Sequence, residues 1–166
     1  MSWIKIILTI ISLYFLAVLQ NSFFTQFSFF GAVPNLVFIF FFLLLFFSNK
    51  NWEIIFFAAA AGFFLDIFSY IFLGASAVLL LFIGFLAKRL QLVLKEGRSA
   101  HPLFYFLPLF LVFFVAYRIS LALIGMAFFD YKFIFEAAYN LTAALVLFLA
   151  YKKFFADRKE SISFFV

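Results

Sequence analysis

From Ile54 to Ala87 the chain carries one charged residue, Asp66, within an otherwise apolar and small-residue run. As a single helix that stretch would be about 50 Å long at 1.5 Å per residue, against roughly 30 Å for the hydrocarbon core of a bilayer. It is too apolar for a water-exposed helix and too long for one crossing. It therefore reads as two membrane helices folded at Ser69 to Gly74. The same punctuation repeats along the chain and gives six expected spans, at residues 3–20, 30–47, 52–68, 70–87, 103–128 and 133–155. The second is the shortest in apolar content, Leu36 to Phe47, with Pro34 in its first turn, a position that tolerates proline. The expected fold class is all-α: a polytopic membrane protein in which residues 1–166 form one integral membrane domain, a compact six-transmembrane-helix bundle.

Composition excludes the alternatives to a membrane fold. Hydrophobic residues make up 69% of the chain and charged residues 11%, against roughly 25% charged in a soluble domain. Soluble-enzyme and nucleic-acid-binding readings fall on that ground, and the absence of cysteine removes disulfides and thiol chemistry. The 34 phenylalanines, in runs such as Phe40-Phe41-Phe42, are read as apolar filling for lipid or core. Trp3 and Trp52 fall at expected span ends, where indole rings anchor to headgroups. The apolar run after Lys5 is followed by no small-x-small cleavage site, so it is expected to stay as an anchor helix.

The net charge of +5 reports orientation. With six spans, Lys5, Lys50, Lys88, Arg89, Lys95, Arg98, Lys152, Lys153, Arg158 and Lys159 share one face, and Lys132 stands alone on the other. The positive-inside rule then places both termini in the cytoplasm. His101, in the basic connection, has no second histidine beside it and is expected to be solvated.

An ionisable side chain at membrane depth needs a partner or a cavity. Three stand at similar heights above the cytoplasmic end: Asp66 at about 21 Å, Arg118 at about 22 Å and Glu136 at about 24 Å, counted at helical rise. Arg118 is expected to neutralise Asp66, Glu136 or both. Two readings of that network stand: it fixes helix register, or it recognises a substrate or partner. A proton relay is disfavoured because no ionisable residue lies in the cytoplasmic half of these spans. Ala58 to Gly62 forms a small-xxx-small face, which makes the third helix the expected centre of the bundle.

Four short segments then fall in order: Leu19-Gln20, Gly31-Ala32-Val33-Pro34-Asn35-Leu36, Gly62-Phe63-Phe64-Leu65-Asp66-Ile67 and Leu73-Gly74. Their succession, together with length and span number, resembles the MreD family of rod-shape-determining membrane proteins over roughly the first half of the chain. In that family an Asp stands where this chain has Asn35, which removes one carboxylate. The resemblance implies a non-enzymatic, cofactor-free subunit of the bacterial elongation complex, the elongasome, in the plasma (inner) membrane. Its implied partners are an MreC-like single-span protein and, through it, MreB, a RodA-type glycan polymerase and its transpeptidase, all serving peptidoglycan synthesis in the cell wall and hence cell shape. Gln20, Gly31, Pro34, Asn35, Gly62, Asp66 and Gly74 would shape the outer end of the bundle, while membrane lipids meet its basic face. The alternative is a substrate-binding component of an energy-coupling-factor vitamin transporter, which shares the architecture. Against it stand a first helix with only Ala17 where such components carry Ala-x-x-x-Ala, and few expected hydrogen-bonding groups in the pocket. A membrane aspartyl protease would need a second aspartate at depth, and Asp130 is expected in a loop.

Overall fold

The computed structural model describes residues 3–28, 30–48, 51–69, 72–95, 102–124 and 132–153. Along them run six α-helices: α1 (Trp3–Ser22), α2 (Leu36–Phe47), α3 (Asn51–Ser69), α4 (Ala75–Lys95), α5 (Leu103–Leu123) and α6 (Lys132–Tyr151). By length and composition α1, α4, α5 and α6 could each cross a membrane. Their outward surfaces suit lipid, since Leu8, Phe15, Phe82, Val93, Ile134 and Val146 are all exposed.

The centre of this fold is α2, not α3 as the small-residue face led one to expect. Its twelve residues reach about 18 Å at helical rise. A helix that is apolar all round has no solvent face and is driven inside. Accordingly α2 touches each of the other five helices, and Phe38, Ile39 and Phe41 are fully buried. Phe38, Phe42 and Phe46 recur every four residues along one side of it and meet a matching series on α5. Phe38 lies 5.8 Å from Phe110 and 5.6 Å from Phe114 between ring centroids, and Phe42 lies 5.8 Å from Phe106 and 5.5 Å from Phe110, all edge to face. Each such pair contributes about 0.5–1.5 kcal/mol beyond the area it covers. The phenylalanine runs are thus largely core, and the remaining rings, such as Phe63, lie exposed on the outside.

The predicted second span starts six residues too early. Residues 30–35 are not helical: Phe30 and Gly31 have φ of 52° and 76°. Pro34 is buried ahead of the helix rather than in its first turn, and the Asn35 side chain caps α2 by accepting from the Phe38 N–H. The fourth helix is shifted the other way, since α4 continues to Lys95 and takes in Lys88 and Arg89, which the sequence had suggested for a connection. The end of the predicted fifth span (125–128), the predicted loop with Asp130, and His101, Lys50, Arg98, Arg158 and Lys159 lie outside the described residues.

Lys88 is drawn into the helix by α2. The last carbonyls of a helix lack intrahelical donors, and in α2 they end among other helices. Lys88 Nζ donates to the carbonyl oxygens of Leu45 (3.2 Å) and Ser48, and Gln91 Nε2 donates to that of Phe46 at 2.8 Å. A cation at this position also complements the negative end of the helix dipole. Nearby, Ser48 Oγ donates to Glu53 at 2.5 Å, which ties the end of α2 to the start of α3.

The small-residue face of α3 packs against α4. A Cβ added at Gly62 would stand 2.2 Å from Ala77 Cα and 2.3 Å from Ala77 N, so two backbones meet where no side chain fits. Close approach of this kind is how helices gain dispersion energy in lipid, where burial of apolar area gives no net drive. Gly62→Ala must push α3 and α4 apart, and the expected loss is about 1–3 kcal/mol of stability, as for other overpacked cores, read as a lowered thermal midpoint of the purified protein in detergent. Lys88→Met keeps the length of the side chain and removes its amine. It should cost a comparable amount, about 1–3 kcal/mol for carbonyls left without that donor, in the same assay.

Candidate functional site

The ends of α1, α3 and α5 and the starts of α2, α4 and α6 meet at one end of the bundle. Three polar linkages hold them together. In the first, Asp66 near the end of α3 is 1% exposed, and its carboxylate accepts from the backbone N–H of Gly74 at 2.6 Å and of Ser76 at 3.0 Å. A carboxylate at a helix start satisfies otherwise unpaired donors and meets the positive end of the dipole. Gly74 reaches this geometry with φ of 101°, a left-handed conformation that costs glycine little. Ser76 Oγ and Tyr117 OH are 3.1 Å apart, which extends the linkage to α5.

The second linkage is an ion pair between Arg118 of α5 and Glu136 of α6, with Nη2 and Oε2 at 2.8 Å. The sequence left open whether Arg118 serves Asp66, Glu136 or both. Glu136 is its ion-pair partner, and Asp66 is instead spent on the start of α4. The physical reason is local: two backbone N–H groups eight and ten residues on offer Asp66 short bonds without immobilising a long side chain.

The third linkage joins α1, α2 and α6. The backbone N–H of Asn35 donates to Asn140 Oδ1 at 2.7 Å, and Asn140 Nδ2 donates to the Glu136 carbonyl at 2.7 Å. Gln20 Oε1 accepts a longer bond, 3.5 Å, from the Val37 N–H. The start of α2 is therefore held from three sides, by its own Asn35 side chain, by α6 and by α1.

Beside these linkages lies an open-sided cavity of about 240 Å³. Val33, Leu65, Phe114 and Leu121 supply its apolar wall; Gln20, Asn35, Tyr117, Arg118, Glu136 and Asn140 supply its polar one. Of the residues singled out in the sequence, Gln20, Asn35, Arg118 and Glu136 line the cavity. Asp66, Gly62 and Gly74 belong instead to the α3–α4 hairpin beside it. Gly31 lies under the Lys132 side chain, with a Cβ position 3.4 Å from Lys132 Cε, and Pro34 is buried in the lead-in to α2.

Sequence reasoning missed Asn140 and Tyr117. Both side chains are uncharged, and an uncharged polar group in an apolar run stands out far less than a charged one. An asparagine one helical turn after Glu136 in an apolar helix was the available signal. Among the described residues no group of three His, Cys, Asp or Glu side chains is placed to hold a metal ion. Comparison with family models, with curated proteins and with solved structures yields no match to this chain.

A double-mutant cycle on Arg118→Gln and Glu136→Gln checks the ion pair. Each single change should lower the unfolding midpoint, and the double change should cost less than the sum, with a coupling of about 0.5–3 kcal/mol, as for groups in direct contact. Additive losses would show that the pair carries no interaction energy.

Proposed function

We propose that this chain is a non-enzymatic integral membrane subunit of the bacterial cell-elongation complex, of the MreD kind. In this reading all six helices cross the plasma membrane with both termini in the cytoplasm. The α2 crossing is completed by the non-helical lead-in, whose Ala32 and Pro34 are buried, as irregular backbone at membrane depth must be, while the exposed Phe30 and Gly31 lie at the membrane surface. The partner is an MreC-like single-span protein, and through it MreB, a RodA-type polymerase and its transpeptidase.

One observation carries the reading. The four segments that resemble MreD come from distant parts of the sequence, yet their polar members meet at one end of the bundle, each with a task. Gln20 holds the start of α2, Asn35 caps it, and Asp66 with Gly74 closes the α3–α4 hairpin. Segments that serve one constructed end are what a shared architecture requires. An enzymatic role for Asp66 has little support, because its carboxylate already accepts two backbone donors and is 1% exposed.

The cavity favours a second reading, a substrate-binding component of an energy-coupling-factor transporter. Its lining has more hydrogen-bonding side chains than the sequence suggested. The coupling face argues the other way, since α1 offers one small buried residue, Ala17, with no second alanine four positions away.

Isolation of the tagged protein from its native membranes in mild detergent, followed by mass spectrometry, separates the two. Recovery of a single-span coiled-coil protein with wall-synthesis enzymes is expected, together with rounded cells on depletion. Recovery of paired ATPases with a coupling subunit, and unchanged rods on depletion, would overturn the morphogenetic reading in favour of transport.

A further inference from the structure

The cavity has a chemical bias that follows from how its amides are held. A side-chain amide has one accepting branch and one donating branch. Asn35 Oδ1 is taken by the Phe38 N–H at 2.9 Å, and Gln20 Oε1 by the Val37 N–H. The start of α2 therefore fixes the orientation of the Asn35 amide and favours the same sense for Gln20, whose bond is longer at 3.5 Å. Their amino branches, Asn35 Nδ2 and Gln20 Nε2, have no partner among the described residues, and both side chains line the cavity. Arg118 adds to the same bias. Its guanidinium carries five N–H donors in a planar fork, and Glu136 occupies Nη2. The remaining edge can take a second oxyanion in the two-bond geometry that guanidinium groups favour.

The helix dipole points the same way. Within the lining Arg118 and Glu136 balance in charge, and the positive end of the α2 dipole stands behind the Asn35 wall. Asp66 is withdrawn into the α3–α4 hairpin. At about 240 Å³ the space is below the roughly 300–1,000 Å³ of drug-sized ligand sites, so it suits a small group or a head group.

We propose that this cavity binds an oxyanion, a carboxylate or phosphate group carried by a small solute or by a lipid head group, on donors from Gln20, Asn35 and Arg118. The proposal goes beyond the elongation-complex reading and stands without it, because it rests on the cavity alone.

Asn35→Asp is the discriminating variant. Aspartate caps a helix as well as asparagine does, so the bond from the Phe38 N–H survives while the cavity-facing donor becomes a negative oxygen. The full chain is purified in a maltoside detergent, which carries neither phosphate nor carboxylate, and its unfolding midpoint is followed while acetate or inorganic phosphate replaces chloride at constant ionic strength. In a parallel arm phosphatidylglycerol is added to the micelles. A saturable rise in midpoint, the signature of a ligand that binds the folded state, is expected in at least one arm. A rise with the solutes identifies a free anion, and a rise with phosphatidylglycerol alone identifies a lipid head group. Asn35→Asp should weaken the effect roughly tenfold or more, since a lost bond to a charged group is worth that much. If that variant does not fold, Gln20→Glu reverses the donor on α1 in the same way. No saturable rise in either arm, or an equal rise in the folded variant, would overturn the proposal.

Discussion

A twelve-residue helix in the middle of an apolar bundle sets the terms for the rest of this protein. Helix ends leave backbone donors and acceptors without partners. Where water is absent, each must be satisfied from within the protein. Because α2 stops short at both ends, its neighbours supply polar side chains at two levels of the bundle. Asn35, Asn140 and Gln20 serve its start; Lys88 and Gln91 serve its finish. Of the buried polar side chains, Ser48, Gln91 and Asn140 trace to this requirement. Part of the cavity traces to it too, because the side chains that hold the start of α2 are among those that line it.

Between those polar levels the helix is held by shape. Phenylalanines at four-residue spacing on α2 and α5 interlock edge to face, and Phe148 of α6 joins them at 4.7 Å from Phe106. On the other side α3 and α4 come together so closely at Gly62 and Ala77 that any side chain would intrude. Large rings fill one half of the section and missing side chains shrink the other. Both devices serve dispersion contact, the attraction that still works between helices when the surroundings are as apolar as the core.

The helical fold could be read from the sequence because long uncharged runs allow few alternatives, and the fold back between α3 and α4 lay at Gly74 as expected. What the sequence hid were relations between helices. Apolarity all round α2 was visible in Leu36 to Phe47, but a uniformly apolar segment gives no direction to a neighbour, and the small residues of α3 were mistaken for the mark of the centre. Lys88 looked like a loop residue because charge is usually found there, while its role depends on carbonyls forty residues away in sequence. Part of the site was legible: Arg118 and Glu136 stood out as ionisable groups at one height, and Gln20 and Asn35 lay in the segments that carry the resemblance to MreD. Asn140 did not, since a neutral amide carries little penalty in a hydropathy count. The choice of Arg118 between two carboxylates was settled by backbone donors that spacing alone does not reveal.

The dependence of α2 on later parts of the chain also orders events in time. A ribosome delivers α2 before α4 and α6 exist, so Lys88, Gln91 and Asn140 have not been made when the short helix first emerges. Until then its start has Asn35 and Gln20 of α1, while the carbonyls at its finish lack the donors they have in the finished fold. The full set of bonds to this helix can therefore form only once the last helix has been synthesised.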